Sequence, residues 1–199
     1  MLATCVLIVT GLAGVDRWFY EHVSRVLDTT AENPLGLDFY RATKPLWLAA
    51  RYLFGYGLAG AAVLIGVALV DRARMRAALL GLLVAAATGL IANVAQAVIG
   101  RARPNQAASH LHFEPFAHLL DKQGVSFPSG EAATAFAFAV VLSALLPRWR
   151  AVFFVCATLG AVARLVNGAH YVSDIAAGAL LGAALARAGM RLLTPIRTD

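Results

Sequence analysis

The sequence predicts an all-α, polytopic membrane protein with six transmembrane helices in one bundle. Of its 199 residues, 60% are hydrophobic and 14% are charged, and the mean hydropathy is +0.70. A soluble globular domain is closer to half apolar and a quarter charged. The apolar residues also fall in blocks, most of them close to the roughly 20 residues that cross a bilayer core. Neither an internal repeat nor a linker divides the sequence, so residues 1–199 are expected to form a single membrane-embedded domain.

Six apolar blocks define the predicted helices. The first, residues 1–15, is short and lacks the basic n-region of a signal peptide, so a retained helix is favoured over a cleaved leader. Small residues at 55–60 (GYGLAG), and Gly178 and Gly182 at GxxxG spacing, are expected where helices pack closely. The other five blocks are 46–70, 77–99, 128–147, 151–169 and 175–193.

The distribution of arginine predicts the orientation of the helices. The short connections 71–76 (DRARMR) and 147–150 (PRWR) are rich in arginine, which is typical of cytoplasmic loops. Six crossings would place both termini on that side of the membrane. The long connections 16–45 and 100–127 would then face the periplasm or the outside. The expected location is the bacterial cytoplasmic (inner) membrane.

The composition favours a lipid bilayer as the partner and argues against nucleic acid. The sequence pI is about 9.9, but the basic residues lie at the ends of apolar blocks, where topology or lipid head groups explain them better. Cys5 and Cys156 both lie in apolar blocks, and indicate neither a disulfide nor a metal framework. The loop 105–126 contains several histidines and is expected to cap the functional site. A zinc site is the alternative, but the spacing of this group of residues fits no recognised metal site. The residues of this group are His110, His112, Glu114 and His118.

Polar residues cluster at three helix ends that are predicted to face outward. Pro128 suits the first turn of a helix, and Ser129 and Gly130 would lie at its N-terminus, where unpaired N–H groups and the helix dipole favour an anion. His170 and Asp174 lie four residues apart and would share one face of a helix. The three clusters are QAVIGRARPNQ (96–106), FPSGEAA (127–133) and ARLVNGAHYVSDIAAG (163–178).

Each cluster has a simpler explanation when it is taken alone. Arg101 and Arg103 suit an interface where arginine side chains extend their charges into water, His170 suits a structural role, and Pro-Ser-Gly is a common turn. Together, however, the clusters place guanidinium groups, amide and hydroxyl donors, and a histidine with a carboxylate partner on one face. These are the groups needed to bind and attack a phosphoryl group, so the sequence predicts a phosphate site.

The three clusters resemble the motifs of the type 2 phosphatidic acid phosphatase superfamily, which includes lipid phosphate phosphatases and vanadium haloperoxidases. The motifs of that family are Lys-x6-Arg-Pro, Pro-Ser-Gly-His and Ser-Arg-x5-His-x3-Asp. Here they read QAVIGRARP (96–104), PSGE (128–131) and ARLVNGAHYVSD (163–174). The resemblance implies hydrolysis of a lipid phosphate or diphosphate at the outer membrane face, without a metal or another cofactor.

The resemblance also implies a role for each residue that matches a motif. His170 would attack phosphorus and form a phospho-histidine. Asp174 would accept a hydrogen bond from the other ring nitrogen and so hold the tautomer. The predicted phosphate-binding residues, which would donate hydrogen bonds to the phosphoryl oxygens, are Gln96, Arg101, Arg103, Ser129, Gly130 and Arg164.

Three positions depart from the family pattern. Gln96 stands where the family has lysine, Ala163 where it has serine, and Glu131 where it has the histidine that protonates the leaving oxygen. A carboxylic acid serves as a general acid only if it carries a proton at the working pH. Burial beside apolar residues would favour the protonated form of Glu131, whereas nearby arginines would favour the ionised form.

Several interpretations therefore stay open at the sequence level. Glu131 is the catalytic acid, or the protein is a degenerate member that binds lipid phosphate with little turnover, or Glu131 is an engineered replacement. A small transporter is an alternative of another class, because charges within a membrane often line a transport path. The motifs do not distinguish among undecaprenyl diphosphate, phosphatidic acid, phosphatidylglycerol phosphate and lipid A phosphates, and they do not specify an oligomeric state.

Overall fold

A computed structural model describes residues 14–19, 21, 34–104, 111–116 and 124–193. Within these ranges the only β-structure is a pair of isolated bridges, Arg101–Phe113 and Ala102–Val125, so the predicted all-α class is confirmed for the described residues. A π-helical segment, Arg51–Gly55, follows the first of the long helices. The long α-helices are α1 (Pro34–Ala50), α2 (Leu58–Val70), α3 (Arg72–Ile99), α4 (Gly130–Leu145), α5 (Arg150–Val166) and α6 (Val172–Leu193).

Several described helices are suited to a membrane by length and composition. Three qualify singly, namely Arg72–Ile99, Pro147–Val166 and Val172–Leu192. Arg41–Gly55 and Leu58–Val70 qualify together as one span bent by 43°, whereas the apolar helix α4 is shorter. The molecule is thus a helical integral membrane protein with three, or up to four, candidate spans among the described residues. The predicted number of six is not confirmed, and most of the block 1–15 lies outside the described residues.

The predicted block 46–70 is not one continuous helix. It divides at Gly55–Gly57, where Gly57 adopts φ +75°, a left-handed conformation that ends the preceding helical segment. Gly55 also lies against α5, because a Cβ atom at Gly160 would come within 2.6 Å of the Gly55 backbone nitrogen. Close packing of these glycines therefore brings the break in this span beside the C-terminal half of α5.

Helix α4 lies at the centre of the bundle and packs against α3, α5 and α6. Its buried face is made largely of alanine, with Phe138, Val141 and Leu142 completing the core toward α2 and α3. Gly178 and Gly182 let α6 approach α4 closely, since a Cβ at either glycine would overlap a carbonyl oxygen of α4 or its cap. The predicted use of these two glycines in helix packing is confirmed.

The N-terminus of α4 is fixed against the start of α6. The Ser129 hydroxyl oxygen accepts a hydrogen bond from the Ala132 backbone N–H at 3.3 Å, as an N-cap does. The Ser129 backbone N–H donates to the Asp174 carbonyl oxygen at 3.0 Å. Residues from the end of α3, the start of α4 and the end of α5 consequently meet at one end of the bundle.

Candidate active site

One polar cavity of about 250 Å³ lies where these helix ends meet. Six of the nine sequence-predicted site residues line it, and Arg51, Gly55 and Tyr56 close its side. The convergence of three separate motifs on one cavity is the arrangement that the sequence predicted. The lining residues are Arg51, Gly55, Tyr56, Asn93, Gln96, Arg103, Gly130, Glu131, Thr134, Arg164 and His170.

His170 is buried in the connection between α5 and α6, and its ring lines the cavity. Its Nδ1 atom lies 2.8 Å from the carbonyl oxygen of Ser126. A carbonyl oxygen can only accept a hydrogen bond, so Nδ1 carries the proton and Nε2 keeps its lone pair. Burial lowers the pKa of His170, and the charges of Arg164 and Arg103 lower it further, while Asp174 acts in the opposite direction. The neutral imidazole is therefore favoured, as a nucleophile requires.

Asp174 is fully buried behind His170 and outside the cavity lining. Its Oδ2 atom accepts a hydrogen bond from the Tyr171 backbone N–H at 2.8 Å and lies 3.6 Å from His170 Nδ1, beyond hydrogen-bond length. The Ser126 carbonyl oxygen thus accepts the hydrogen bond from the imidazole ring that the resemblance implied for Asp174. Asp174 still contributes a negative charge beside the ring.

Arg101 lies behind the cavity rather than in it. Its Nη1 atom is 2.7 Å from Asp174 Oδ1 and its Nη2 atom is 2.9 Å from Asp16 Oδ2, and all three side chains are buried. The guanidinium also stacks on the Tyr171 ring, 4.0 Å from the ring centroid. Asp16 in turn accepts hydrogen bonds from the backbone N–H and hydroxyl of Ser173. The structure therefore does not bring Arg101 to the predicted phosphate site, but uses it to hold the start of α6.

Of the other predicted phosphate-binding residues, four line the cavity and one lies outside its lining. Gln96, Arg103, Gly130 and Arg164 line the cavity. Ser129 does not, because its hydroxyl oxygen caps α4. Four of the six predicted phosphate-binding residues therefore line the cavity.

Glu131 lies between two guanidinium groups at the first turn of α4. Its Oε1 atom is 3.1 Å from Arg51 Nη2, and its Oε2 atom is 3.2 Å from Arg164 Nε. The Glu131 side chain is 15% exposed, so both ion pairs are partly shielded from water.

Arg51, Tyr56, Asn93 and Thr134 also line the cavity, and sequence reasoning did not identify them. One signal was available for Arg51, since it is a charged residue inside the apolar block 46–70, where charges are costly and often functional. Asn93 and Thr134 gave no comparable signal, because single polar residues in apolar helices are common at helix contacts. Their place in the cavity follows from helix packing.

The described residues include no group of three or more His, Cys, Asp or Glu side chains arranged to hold a metal. Within the loop 105–126, His112 lies 3.0 Å from Glu114, and both side chains are about half exposed. His110 and His118 lie outside the described residues. The capping role expected for this loop stays a prediction.

Comparison with protein families gives a match to the model of the PAP2 superfamily over residues 77–197. The chain belongs to the PAP2 superfamily. The matched region contains all three motifs and every cavity-lining residue except Arg51, Gly55 and Tyr56. Those three come from the broken span that precedes it.

Two curated relatives of this PAP2 protein are each named lipid A 1-phosphatase. One, from Rhizobium johnstonii, is 40% identical over 102 residues, which cover 48% of this chain and 39% of the relative. The other, from Rhizobium etli, is 40% identical over 101 residues, covering 48% of this chain and 41% of the relative. The match thus spans about two-fifths of the length of each relative. No solved structure matches the chain.

Proposed function

We propose that this PAP2 protein hydrolyses the phosphate monoester, or the terminal phosphate of a diphosphate, on a membrane lipid through a phospho-histidine at His170. The observation that carries the proposal is the shared cavity of His170, Arg103 and Arg164 at the N-terminus of α4. The tautomer set by Ser126 supplies a nucleophilic nitrogen, and the guanidiniums supply bidentate donors for phosphoryl oxygens. The site needs no metal for these steps.

The relatives support a lipid phosphate as the substrate. Both carry the name lipid A 1-phosphatase, so the phosphate of lipid A is one candidate among the lipid phosphates considered above. The apolar helices around the cavity support a substrate that reaches it from the bilayer. The arginine-rich connections 71–76 and 147–150 support an orientation with the cavity at the outer face of the cytoplasmic membrane and both termini inside.

In the first chemical step, the lone pair of His170 Nε2 forms a bond to phosphorus as the bond from phosphorus to the lipid oxygen breaks. The lipid oxygen leaves with the electron pair and takes a proton from Glu131, which becomes a carboxylate. Arg103 and Arg164 stabilise the charge on the phosphoryl oxygens as the bond to phosphorus forms. The products of this step are the lipid alcohol and phospho-His170.

The second step returns the enzyme to its starting state. Water attacks the phosphorus of phospho-His170 while the Glu131 carboxylate accepts a proton from that water. The bond from phosphorus to Nε2 breaks, which releases inorganic phosphate and leaves a neutral imidazole. Glu131 is then protonated and ready for the next lipid.

Glu131 acts as the acid at the start of this cycle, and it lies beside both Arg51 and Arg164. A phosphate dianion that takes over these two guanidiniums would displace the Glu131 carboxyl group from them. Substrate binding would thus free Glu131 for its role in the reaction.

A lipid phosphate-binding protein with little turnover is the second candidate function. The observation that favours it is the position of Glu131, whose carboxylate already occupies two of the guanidinium groups that a phosphate would use. In that case the protein would hold a lipid phosphate without releasing inorganic phosphate.

Phosphate release from a panel of lipid phosphates, including lipid A, tests the two candidates. We expect purified protein to release phosphate without added metal, and His170→Ala to abolish the release. His112→Ala is the matched control, because His112 is exposed and outside the cavity. An acid-labile, alkali-stable phosphoryl label on the parent protein, absent from His170→Ala, would identify the intermediate. Turnover that survives His170→Ala would refute the mechanism, and tight binding without release would favour the second candidate.

A further inference from the structure

Arg51 reaches the cavity from a region that carries none of the three motifs. It begins the π-helical segment between α1 and the break at Gly57, and its side chain is 24% exposed. Nη2 donates a hydrogen bond to the Tyr56 hydroxyl oxygen at 2.7 Å. The guanidinium also lies over the rings of Tyr56 and Tyr52, 5.1 Å and 5.9 Å from their centroids. These contacts hold the guanidinium in place at little further entropic cost when it binds an anion.

The Glu131 carboxylate shows where an anion fits in this cavity. Both Nε and Nη2 of Arg51 lie within 3.3 Å of Glu131 Oε1, and Arg164 approaches the other oxygen. A phosphoryl group presents oxygen acceptors of the same kind to a guanidinium fork. We infer that Arg51 is a phosphate-binding residue of this site, and that it shares with Arg164 an anion position which Glu131 fills before substrate arrives. The inference deepens the proposed function and rests on it for the identity of the substrate.

The charge of the cavity supports this role. The family whose motifs this chain resembles has a lysine at the position of Gln96, so one positive charge of the motifs is missing here. Arg51 supplies a positive charge to the cavity from outside the motifs. The described lining then holds three guanidiniums and one carboxyl group, which leave a formal charge of at least +2 beside a neutral His170. That charge matches the dianion of a phosphate monoester better than the monoanion of a phosphodiester. We therefore expect monoesters and terminal diphosphates to be preferred over lipid phosphodiesters.

A purely structural role for Arg51, as the partner that holds Glu131, makes a different prediction. If Arg51 only neutralises Glu131, its charge is dispensable once that carboxylate is removed. If Arg51 binds phosphate, it is needed whether or not Glu131 is charged. The Glu131→Gln background therefore separates the two roles, because glutamine keeps the shape of the side chain and removes the charge.

The experiment measures the dissociation constant of inorganic phosphate by calorimetry on the purified protein. We expect Arg51→Met to raise it about tenfold or more in both the parent and the Glu131→Gln background, as loss of a charged hydrogen-bond donor does. Arg51→Lys should retain part of the affinity, because it keeps the positive charge but loses the guanidinium fork. Equal dissociation constants for Glu131→Gln and Arg51→Met/Glu131→Gln would overturn the inference, as would a Glu131→Gln protein that binds no phosphate.

Two controls keep this result separate from loss of folding and from failure of the proposed function. Arg41→Met removes an exposed arginine of α1 and should leave the dissociation constant unchanged. An equal loss of affinity in Arg41→Met would overturn a local role for Arg51. His170→Ala should still bind phosphate, since it keeps every guanidinium. A protein that binds phosphate through Arg51 but cleaves no lipid would disprove the hydrolysis and leave the inference standing.

Discussion

The Nδ1 atom of His170 lies 2.8 Å from the carbonyl oxygen of Ser126, and this contact fixes which ring nitrogen carries the proton. Asp174, at 3.6 Å, adds charge to the surroundings of the ring without taking the hydrogen bond. The carbonyl belongs to the segment that leads into α4, so residues just before the second motif orient the proposed nucleophile in the third. A backbone acceptor cannot be removed by substitution at Ser126, which makes this contact insensitive to side-chain changes there.

The lowered pKa of His170 predicts a pH dependence of activity. Burial is the main cause of the shift, so the neutral imidazole persists below the ordinary histidine value of about 6.5. We expect the acidic limb of kcat/KM that belongs to this nucleophile to lie below about pH 6.5. A pH profile with p-nitrophenyl phosphate, whose leaving group needs little protonation, measures that limb without a contribution from the catalytic acid. A limb above that value would contradict a neutral, buried His170.

The same shift predicts a pH dependence of stability. Its sign follows from proton binding, because below about pH 6.5 the unfolded chain protonates this histidine before the folded protein does. The contribution of His170 is therefore fully present above about pH 6.5 and is lost as the pH falls toward the lowered folded value. On acidification, the thermal unfolding midpoint of the parent should fall more than that of His170→Asn. Thermal unfolding of both proteins across a pH series measures this difference. A gap independent of pH would exclude this coupling.

The buried pair of Arg101 with Asp174 and Asp16 predicts a structural role for Arg101. Removing one partner of a buried ion pair leaves an uncompensated charge and costs about 3–5 kcal/mol, so Arg101→Met should lower the free energy of unfolding by about that amount. Arg74→Met, which breaks the exposed pair with Asp71, should cost no more than about 1 kcal/mol. Denaturant or thermal unfolding in detergent measures both.

The stability readout also distinguishes this role from phosphate binding. Arg101→Met protein that remains folded should bind inorganic phosphate with the parent's affinity, because Arg101 does not line the cavity. A stable Arg101→Met protein with a large loss of phosphate affinity would show that Arg101 does bind phosphate.

Arg101 and Arg51 show what the sequence could and could not predict. Motif spacing placed Arg103, Arg164 and His170 correctly at one end of the bundle, because each lies in or beside a helix end whose position hydropathy reveals. Motif spacing could not predict that Arg101 lies outside the cavity. Its position depends on the ion pair with Asp16, which is distant in sequence and contacts Arg101 only in the folded bundle. Neither could it assign Arg51 to the site, because that requires the break at Gly57 and the close approach to α5.

The orientation of the bundle gives a further prediction. Single cysteines replacing Arg72 and Leu111, in a background without Cys5 and Cys156, should differ in labelling by a membrane-impermeant maleimide on intact cells. Leu111 lies in the loop beside the cavity and should react, whereas Arg72 begins α3 at the arginine-rich end and should not. Labelling only at residue 72 would invert the proposed topology.

The packing of α6 on α4 predicts opposite effects for one substitution at two glycines. Gly182→Ala would place a methyl group against the Ala133 carbonyl, so we expect a loss of about 1–3 kcal/mol in the free energy of unfolding. Gly66→Ala is the matched control on α2, where nothing lies within 4 Å, and it should stabilise the helix by about 0.5–1 kcal/mol. Unfolding midpoints that move in the same direction would contradict the close helix contact.

The acid role of Glu131 predicts that the effect of its substitution depends on the leaving group. Glu131→Gln should slow hydrolysis of a lipid phosphate, whose alkoxide leaving group needs a proton, by about 100-fold or more. The same variant should keep a kcat/KM for p-nitrophenyl phosphate close to the parent's, because p-nitrophenolate leaves without a proton. This parameter does not include the later hydrolysis of phospho-His170, in which Glu131 acts as the base. It should also bind inorganic phosphate more tightly, since it no longer competes for Arg51 and Arg164. An equal loss of kcat/KM on both substrates would show that Glu131 acts by holding the arginines rather than as an acid.

Glu131→His completes this comparison, because it introduces the residue that the resembling family has at this position. An imidazole with an ordinary pKa near 6.5 is partly protonated at neutral pH and carries no negative charge toward the phosphate. We therefore expect Glu131→His to raise the rate of lipid phosphate hydrolysis at neutral pH. Phosphate release across a pH series measures the ratio of the two rates. A parent that matches the histidine variant at every pH would show that the carboxylate imposes no penalty on this reaction.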